Sequence, residues 1–285
     1  MKKLLLSVIL MLGLHCMSQN IVPEGAINGL FSVGQNKKVY FSKGNLQYQA
    51  STRTWRFAEN QWVCKAESNN NISETYNGWI DLFGWGTSGY NHGATCYQPW
   101  STDNIYGRYW AYGQPDYNLY DQTGKADWGY NAISNGGNQN NLWRTLTFEE
   151  WDYIMNKRQT NSGFRFAKAT VNSVEGIIFF PDDWVVETFP IESVNSQGYT
   201  FRINTISAAD WITLESHGAV FFPITGNRDG NSYSKYNGSY WTSSVPSGNI
   251  GSAFKFSINV NNTNFIKTYR NYGCAVRLVQ DYLAK

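Results

Sequence analysis

The chain has 285 residues, a formal charge of +2, 15% charged residues, 26 Gly, and 12 Trp, 19 Tyr and 16 Phe. Charge this sparse and balanced leaves no electrostatic footprint for nucleic acid or an anionic membrane. Abundant aromatics and glycines point to a β-rich, loop-rich chain rather than one of long charged helices.

In chain order, "MKK" and the short apolar run "LLLSVILMLGL" predict an export signal over residues 1–18. The run is too short to span a bilayer, and Cys16 and Ser18 are the small residues expected before a cut at Gln19. The competing reading, a lipid anchor on Cys16, is disfavoured because bulky, polar His15 precedes it. Removing the leader takes Lys2 and Lys3 and leaves a formal charge of zero. Residues 19–285 then form one domain, long enough for a sizeable core. Only Cys64, Cys96 and Cys274 remain. An odd count in an exported protein leaves at least one thiol free or in an intermolecular bond, and excludes a dense disulfide framework. His92 and His217 lie far apart, and no Cys/His pair has metal-ligand spacing, so no metal or cofactor is expected.

"KKVYFSKGNLQYQASTRTWRFA" alternates apolar and polar residues around turn signals and predicts hairpins. Residues 64–145 lose that periodicity. Their Gly, Asn, Tyr and Trp content, as in "GWIDLFGWGTSGYN", predicts a long insertion held by aromatic packing. A helix follows at "LTFEEWDYIMNKR": Thr147 and Glu150 form a capping box, and Leu146 with Trp151 a hydrophobic staple. Lys157 and Arg158 fall in its expected last turn, where the helix dipole favours cations. A second helix, "SAADWITLESHG", repeats the pattern with Ser207 and Asp210, then Ile206 and Trp211. "EGIIFFPDDW" between the helices reads as a strand. "AVFFPITG", "SYWTSS", "SAFKFSI", "NFIKTY" and "GCAVRLV" after them read as short antiparallel strands. Trp143, Trp151, Trp211 and Trp241 are expected to share one core.

The order Trp143, Arg144, Leu146, Thr147, Glu150, Trp151; then Phe180, Pro181, Asp182, Asp183; then Tyr240, Trp241, Thr242, Ser243; then Gly273, Val276, Arg277, Val279 resembles the C-type-lectin-like fold. More narrowly, it is similar to exported paralogous families of Bacteroidetes and Fibrobacter. The resemblance implies an α+β domain with two capped helices, a mainly antiparallel sheet and long loop insertions, whose ends come together so that the last strand, "GCAVRLV", pairs beside an N-terminal strand such as "KVYFSK". It carries two functional implications. One is a non-enzymatic ligand-binding or adhesion module, periplasmic, at the cell surface or secreted, taking an unidentified glycan or protein ligand. The alternative is an enzyme of the formylglycine-generating type, whose copper chemistry uses a close cysteine pair. Cys274 is the only cysteine after Cys96, and a cysteine in a small-residue slot of a buried strand reads as inert packing.

Gln114, Pro115 and Asp116 match a triplet that galactose-type lectins use for calcium and sugar, but they precede the first helix and read as a turn. Asp182 and Asp183 read as a turn as well, and Arg144 and Arg277 as fold-holding cations pairing with carboxylates or carbonyls. The residues from Gly226 to Asn271 mix Tyr with Asn, Ser, Gly and Arg, a composition suited to adaptable recognition; solvated turns are the competing reading. Candidate ligand-binding residues there are Arg228, Tyr233, Tyr236, Asn237, Asn249, Asn261, Tyr269 and Asn271. The same region carries the variable residues of retroelement-diversified receptors of this fold.

Overall fold

The computed structural model describes residues 21–90, 95–109, 118–119, 124–249 and 251–283. The leader, His92 and the 114–116 triplet lie outside them. The fold is mixed α/β, mostly sheet with few helices. One four-stranded sheet has the order β1 (Phe31–Gly34), β2 (Lys37–Phe41), β15 (Leu278–Asp281), β5 (Arg144–Thr145), antiparallel throughout. Val279 pairs with Phe41 on one side and Arg144 on the other. The last strand is therefore clamped beside the N-terminal hairpin, as the resemblance implies.

A second four-stranded sheet runs β8 (Thr205–Ile206), β6 (Phe166–Val171), β7 (Val174–Phe179), β9 (Val220–Pro223), with β6 and β8 parallel. β12 (Gly238–Trp241), β13 (Ser252–Ile258) and β14 (Thr263–Tyr269) form an antiparallel triplet. β3 (Leu46–Gln49) with β4 (Thr54–Phe57), and β10 (Asn227–Asp229) with β11 (Ser232–Ser234), are hairpins.

The first helix, α1 (Phe148–Asp152), carries the complete capping box: Glu150 N donates to Thr147 Oγ1 and Thr147 N to the Glu150 carboxylate, both at 3.0 Å. The predicted regular helix does not continue. Tyr153–Lys157 widens into a π turn, closed by Arg158 N donating to Tyr153 O at 2.8 Å. Arg158 does not sit on a helix end facing solvent. It enters the core and donates to Phe180 O, Arg165 O and Asp182. Lys157 pairs with Asp152 instead. α2 (Ala208–Ser216) is capped by Ser207, which accepts from Asp210 N. Its second half differs from the expected box: the Asp210 carboxylate accepts the Ser207 hydroxyl at 2.7 Å. Aspartate is one methylene shorter than glutamate, which suits this local contact better than the reach back to the cap N–H.

The four tryptophans do not share one core. Trp151 belongs to a cluster with Phe41, Phe179, Phe222 and Phe256, stacking on Phe256 at 4.8 Å and 15°. Trp143 and Trp241 belong to a second, with Trp55, Phe83, Trp85 and Trp128. Trp211 belongs to a third, with Ile178, Phe180 and Phe221. Strand alternation explains the split. Phe221 and Phe222 are neighbours on β9, so they face opposite sides of the sheet. Trp151 contacts Phe222 and Trp211 contacts Phe221, so the two helices cover opposite faces of one sheet.

Between Cys64 and Trp143 the described chain holds only short 3-10 turns, yet Ile80, Leu82, Phe83, Trp85 and Trp128 are fully buried. Chain without ladder partners must satisfy its carbonyls some other way. Buried arginines from the C-terminal region supply part of the donors. Arg228 reaches Leu82 O and Ser101 O, and Arg270 reaches Tyr109 O.

Candidate functional site

Three of the eight predicted binding residues come together. Gly238 pairs with Ile258 at one end of β12–β13, and Ile258 pairs with Thr263 where β13 turns into β14. This register sets Tyr236 and Asn237, just before β12, beside the Asn259–Asn262 turn. The turn closes on itself: Asn259 Oδ1 accepts from the backbone N–H groups of Asn261 and Asn262, and Asn259 Nδ2 donates to Asn262 Oδ1. The Asn261 side chain is left out of that network. Tyr236 is 88% exposed. It lines two adjoining concavities of about 490 and 740 Å³, which share Glu175, Ile224 and Tyr236. Asn237 and Asn261 line the first, Arg202 and Lys235 the second. Neither the Asn237 nor the Asn261 side-chain amide hydrogen-bonds within the described residues, so both can serve a ligand.

Tyr269 and Asn249 lie elsewhere. Tyr269 pairs with Ser252 at the far end of β13–β14, seven residues or roughly 20 Å along the strand. Its ring stacks on Tyr106 at 5.0 Å. Asn249 shapes the neighbouring turn, its Oδ1 accepting from Gly251 N.

The remaining three are structural. Arg228 is 1% exposed, and its two terminal nitrogens donate to Gly230 O, Leu82 O and Ser101 O while Nε is sealed without a partner. Burial brings it down to about 10. Asn271 is buried and donates to Asp229 at 3.2 Å. Tyr233 packs against the first core cluster with its hydroxyl on Thr225 O. Arg228 and Asn271 are thus corrections to the surface reading, and both point inward to satisfy loop backbone or side chains. Arg144 holds the fold as expected, gripping Glu150 and Asp281. Arg277 does so as well, through the carbonyl half of that expectation: it donates to the side-chain amide oxygens of Asn45 and Gln61. Asp182 accepts from Ser32 N and Oγ and binds Arg158, tying β1 to the strand exit, while Asp183 is exposed.

Cys64, Cys96 and Cys274 are unpaired thiols. Cys274 has no exposed surface, its N–H donates to Phe83 O, and burial pushes it up to about 11. Two features are not among the sequence-predicted site residues. Asp81 is a buried carboxyl raised by desolvation to about 7 despite the N–H of Lys65, signalled only by an aspartate inside the apolar run "GWIDLFGW". A groove lies between the β3–β4 hairpin and residues 95–100, signalled only by the aromatic density on both sides.

Among the described residues no helix is long and apolar enough to cross a membrane, and no three His, Cys, Asp or Glu side chains group to hold a metal ion. Comparison with protein-family models, curated proteins and solved structures gives no match.

Proposed function

We propose that the chain is an exported, non-enzymatic ligand-binding or adhesion module of C-type-lectin-like fold, working in the periplasm or at the bacterial surface. Its contact face is built on Tyr236, Asn237 and Asn261. The observation that carries this reading is the exposed Tyr236 ring between two concavities, beside two amides with no internal hydrogen bond. A rigid aromatic contact next to adaptable amides is an economical recognition surface. The alternative, an oxidase of the formylglycine-generating type, needs an accessible, activated thiol. The buried Cys274, raised rather than lowered, weighs against it.

The test is a screen of the protein on arrays of glycans and surface proteins. It is repeated with Tyr236→Ala, Asn237→Ala and Asn261→Ala, none of which touches the core. A ligand that binds the wild type and loses affinity with these variants is the expected result. Binding that none of the three alters would refute the assignment of the face.

A further inference from the structure

A groove lies between the β3–β4 hairpin and the insertion, apart from the Tyr236 face. Tyr48 on β3 and Trp55 on β4 are cross-strand partners, ring centroids 4.5 Å apart. They form one wall of a groove of about 640 Å³, within the size range of small-ligand sites. Arg53 and Glu74 stand at its rim, and Gln98 and Trp100 line it opposite the hairpin. That side is held by a 3-10 turn, Thr95–Tyr97, and by Gln98 N donating to Thr95 O and Ser101 N to Gln98 O. Asn131 closes the groove, its Nδ2 bonded to Ser88 O and Trp128 O.

Polar tips of aromatic side chains meet the groove without an internal partner. A buried Trp or Tyr ordinarily finds a hydrogen-bond partner for its polar atom. Trp85, Trp143 and Trp241 do so on Thr242 O, Gly136 O and Phe83 O. Trp55 and Tyr48 are only 6% and 7% exposed, yet the Trp55 indole N–H and Tyr48 hydroxyl make no hydrogen bond within the described residues. Neither atom is among the sealed, unsatisfied polar atoms of the interior. Both therefore reach solvent. The Trp100 indole N–H and the Gln98 amide likewise make no hydrogen bond within the described residues.

The lining selects the ligand class. One arginine and one glutamate give no net sign, which disfavours a phosphate or a polyanion. Both edges of the hairpin are occupied, by the bridges of Tyr48 to Ile80 and of Trp55 to Ile133, so a peptide has no free edge to extend. What remains is a molecule with apolar C–H faces for aromatic rings and a ring of hydroxyls for N–H, O–H and amide groups. We propose that this groove binds a short neutral oligosaccharide, stacked on Trp100 and hydrogen-bonded by Gln98, the Tyr48 hydroxyl and the Trp55 indole N–H.

The full-length protein would be titrated with neutral di- to tetrasaccharides of α- and β-linked glucose, β-linked xylose and α-linked mannose. Tryptophan fluorescence and calorimetry are the readouts. Saturable binding of at least one probe is expected. Trp100→Ala should weaken it about tenfold or more, the scale of one lost aromatic contact with its hydrogen bond. Gln98→Ala, a milder change should Trp100→Ala misfold, should weaken it several-fold. Tyr236→Ala should leave it unchanged, so the two faces fail or succeed separately. The proposal is overturned if no probe saturates, if both groove variants bind like the wild type, or if acidic oligosaccharides bind more tightly than neutral ones.

Discussion

Arg228 and Gly273 hydrogen-bond each other in both directions, Arg228 N to Gly273 O at 2.9 Å and Gly273 N to Arg228 O at 2.7 Å. The pair sets the small β10–β11 hairpin on the terminal segment, and a Cβ added at Gly273 would stand 3.1 Å from Arg228 Cβ. The Arg228 side chain is thereby led inward to the carbonyls of Leu82 and Ser101. One residue of the proposed recognition region thus anchors the insertion instead of meeting a ligand.

Arg228→Met keeps the length and apolar bulk of the side chain and removes every donor. Three carbonyls, two of them buried, then lose their partner, at a cost of about 3 kcal/mol or more. Arg228→Lys should recover only a fraction, since one ammonium cannot reproduce the forked geometry. Urea unfolding measures both. A midpoint unchanged in the methionine variant would show that the guanidinium does not hold the insertion.

Local features were readable in the sequence because their causes are local. The Thr147–Glu150 box and the Ser207 cap rest on residues three apart. The place of the last strand was legible only through the resemblance to a fold that brings its ends together, since an apolar run alone names no partner strand. The partition of the tryptophans was not readable. It depends on β9 being covered on both faces, and a strand buried throughout carries no alternation to show that. Arg228 and Asn271 were misplaced for the same kind of reason: a polar residue in a loop points outward unless a distant carbonyl or carboxylate draws it in. The Tyr236 face was readable in composition, but only the Gly238–Ile258 register brings Asn237 to Asn261.

Asp81 makes stability depend on pH. Burial is the main cause of its rise from 3.8 to about 7, and its Oδ1 has no partner. The folded protein keeps this proton to about pH 7, while the unfolded chain releases it near 3.8. The contribution is therefore complete below pH 3.8, declines as pH rises through the window to about 7, and is flat above. The loss across that window is about 4 kcal/mol. Asp127, also raised mainly by burial, adds in the same direction. Unfolding free energies at pH 4, 5.5, 7 and 8 should fall less steeply in Asp81→Asn than in the wild type. Parallel profiles would contradict the buried, protonated carboxyl.

Cys274 should react only when the domain opens. It has no exposed surface, burial disfavours its thiolate, and its strand segment is bridged to Phe83. Labelling at pH 7.5, followed by peptide mass mapping, should modify Cys274 only at the rate of global opening. Guanidinium should release all three thiols together. Fast modification of native Cys274 would favour the enzymatic alternative over the binding module.

Ending the chain after Asn271 should abolish folding rather than trim a tail. The deletion removes β15, the strand between β2 and β5, and leaves each of those with an open edge. It removes Cys274 and Ala275, which bridge Phe83 and Tyr240, and so parts the insertion from the β12–β14 triplet. It removes Val276, Leu278 and Val279, each fully buried. At about 1.5–3 kcal/mol for each aliphatic side chain returned to water, these three alone approach the whole stability of an ordinary domain. The buried Gln61 and Asn45 also lose Arg277, with its guanidinium 5.2 Å over the Phe222 ring. Circular dichroism and thermal melting of the truncated protein are the measurements. Loss of cooperative melting is expected, with aggregation through the freed strand edges. A soluble truncated chain with a sharp transition would show that the terminal strand is an accessory, and the link between the insertion and the C-terminal face would fall with it.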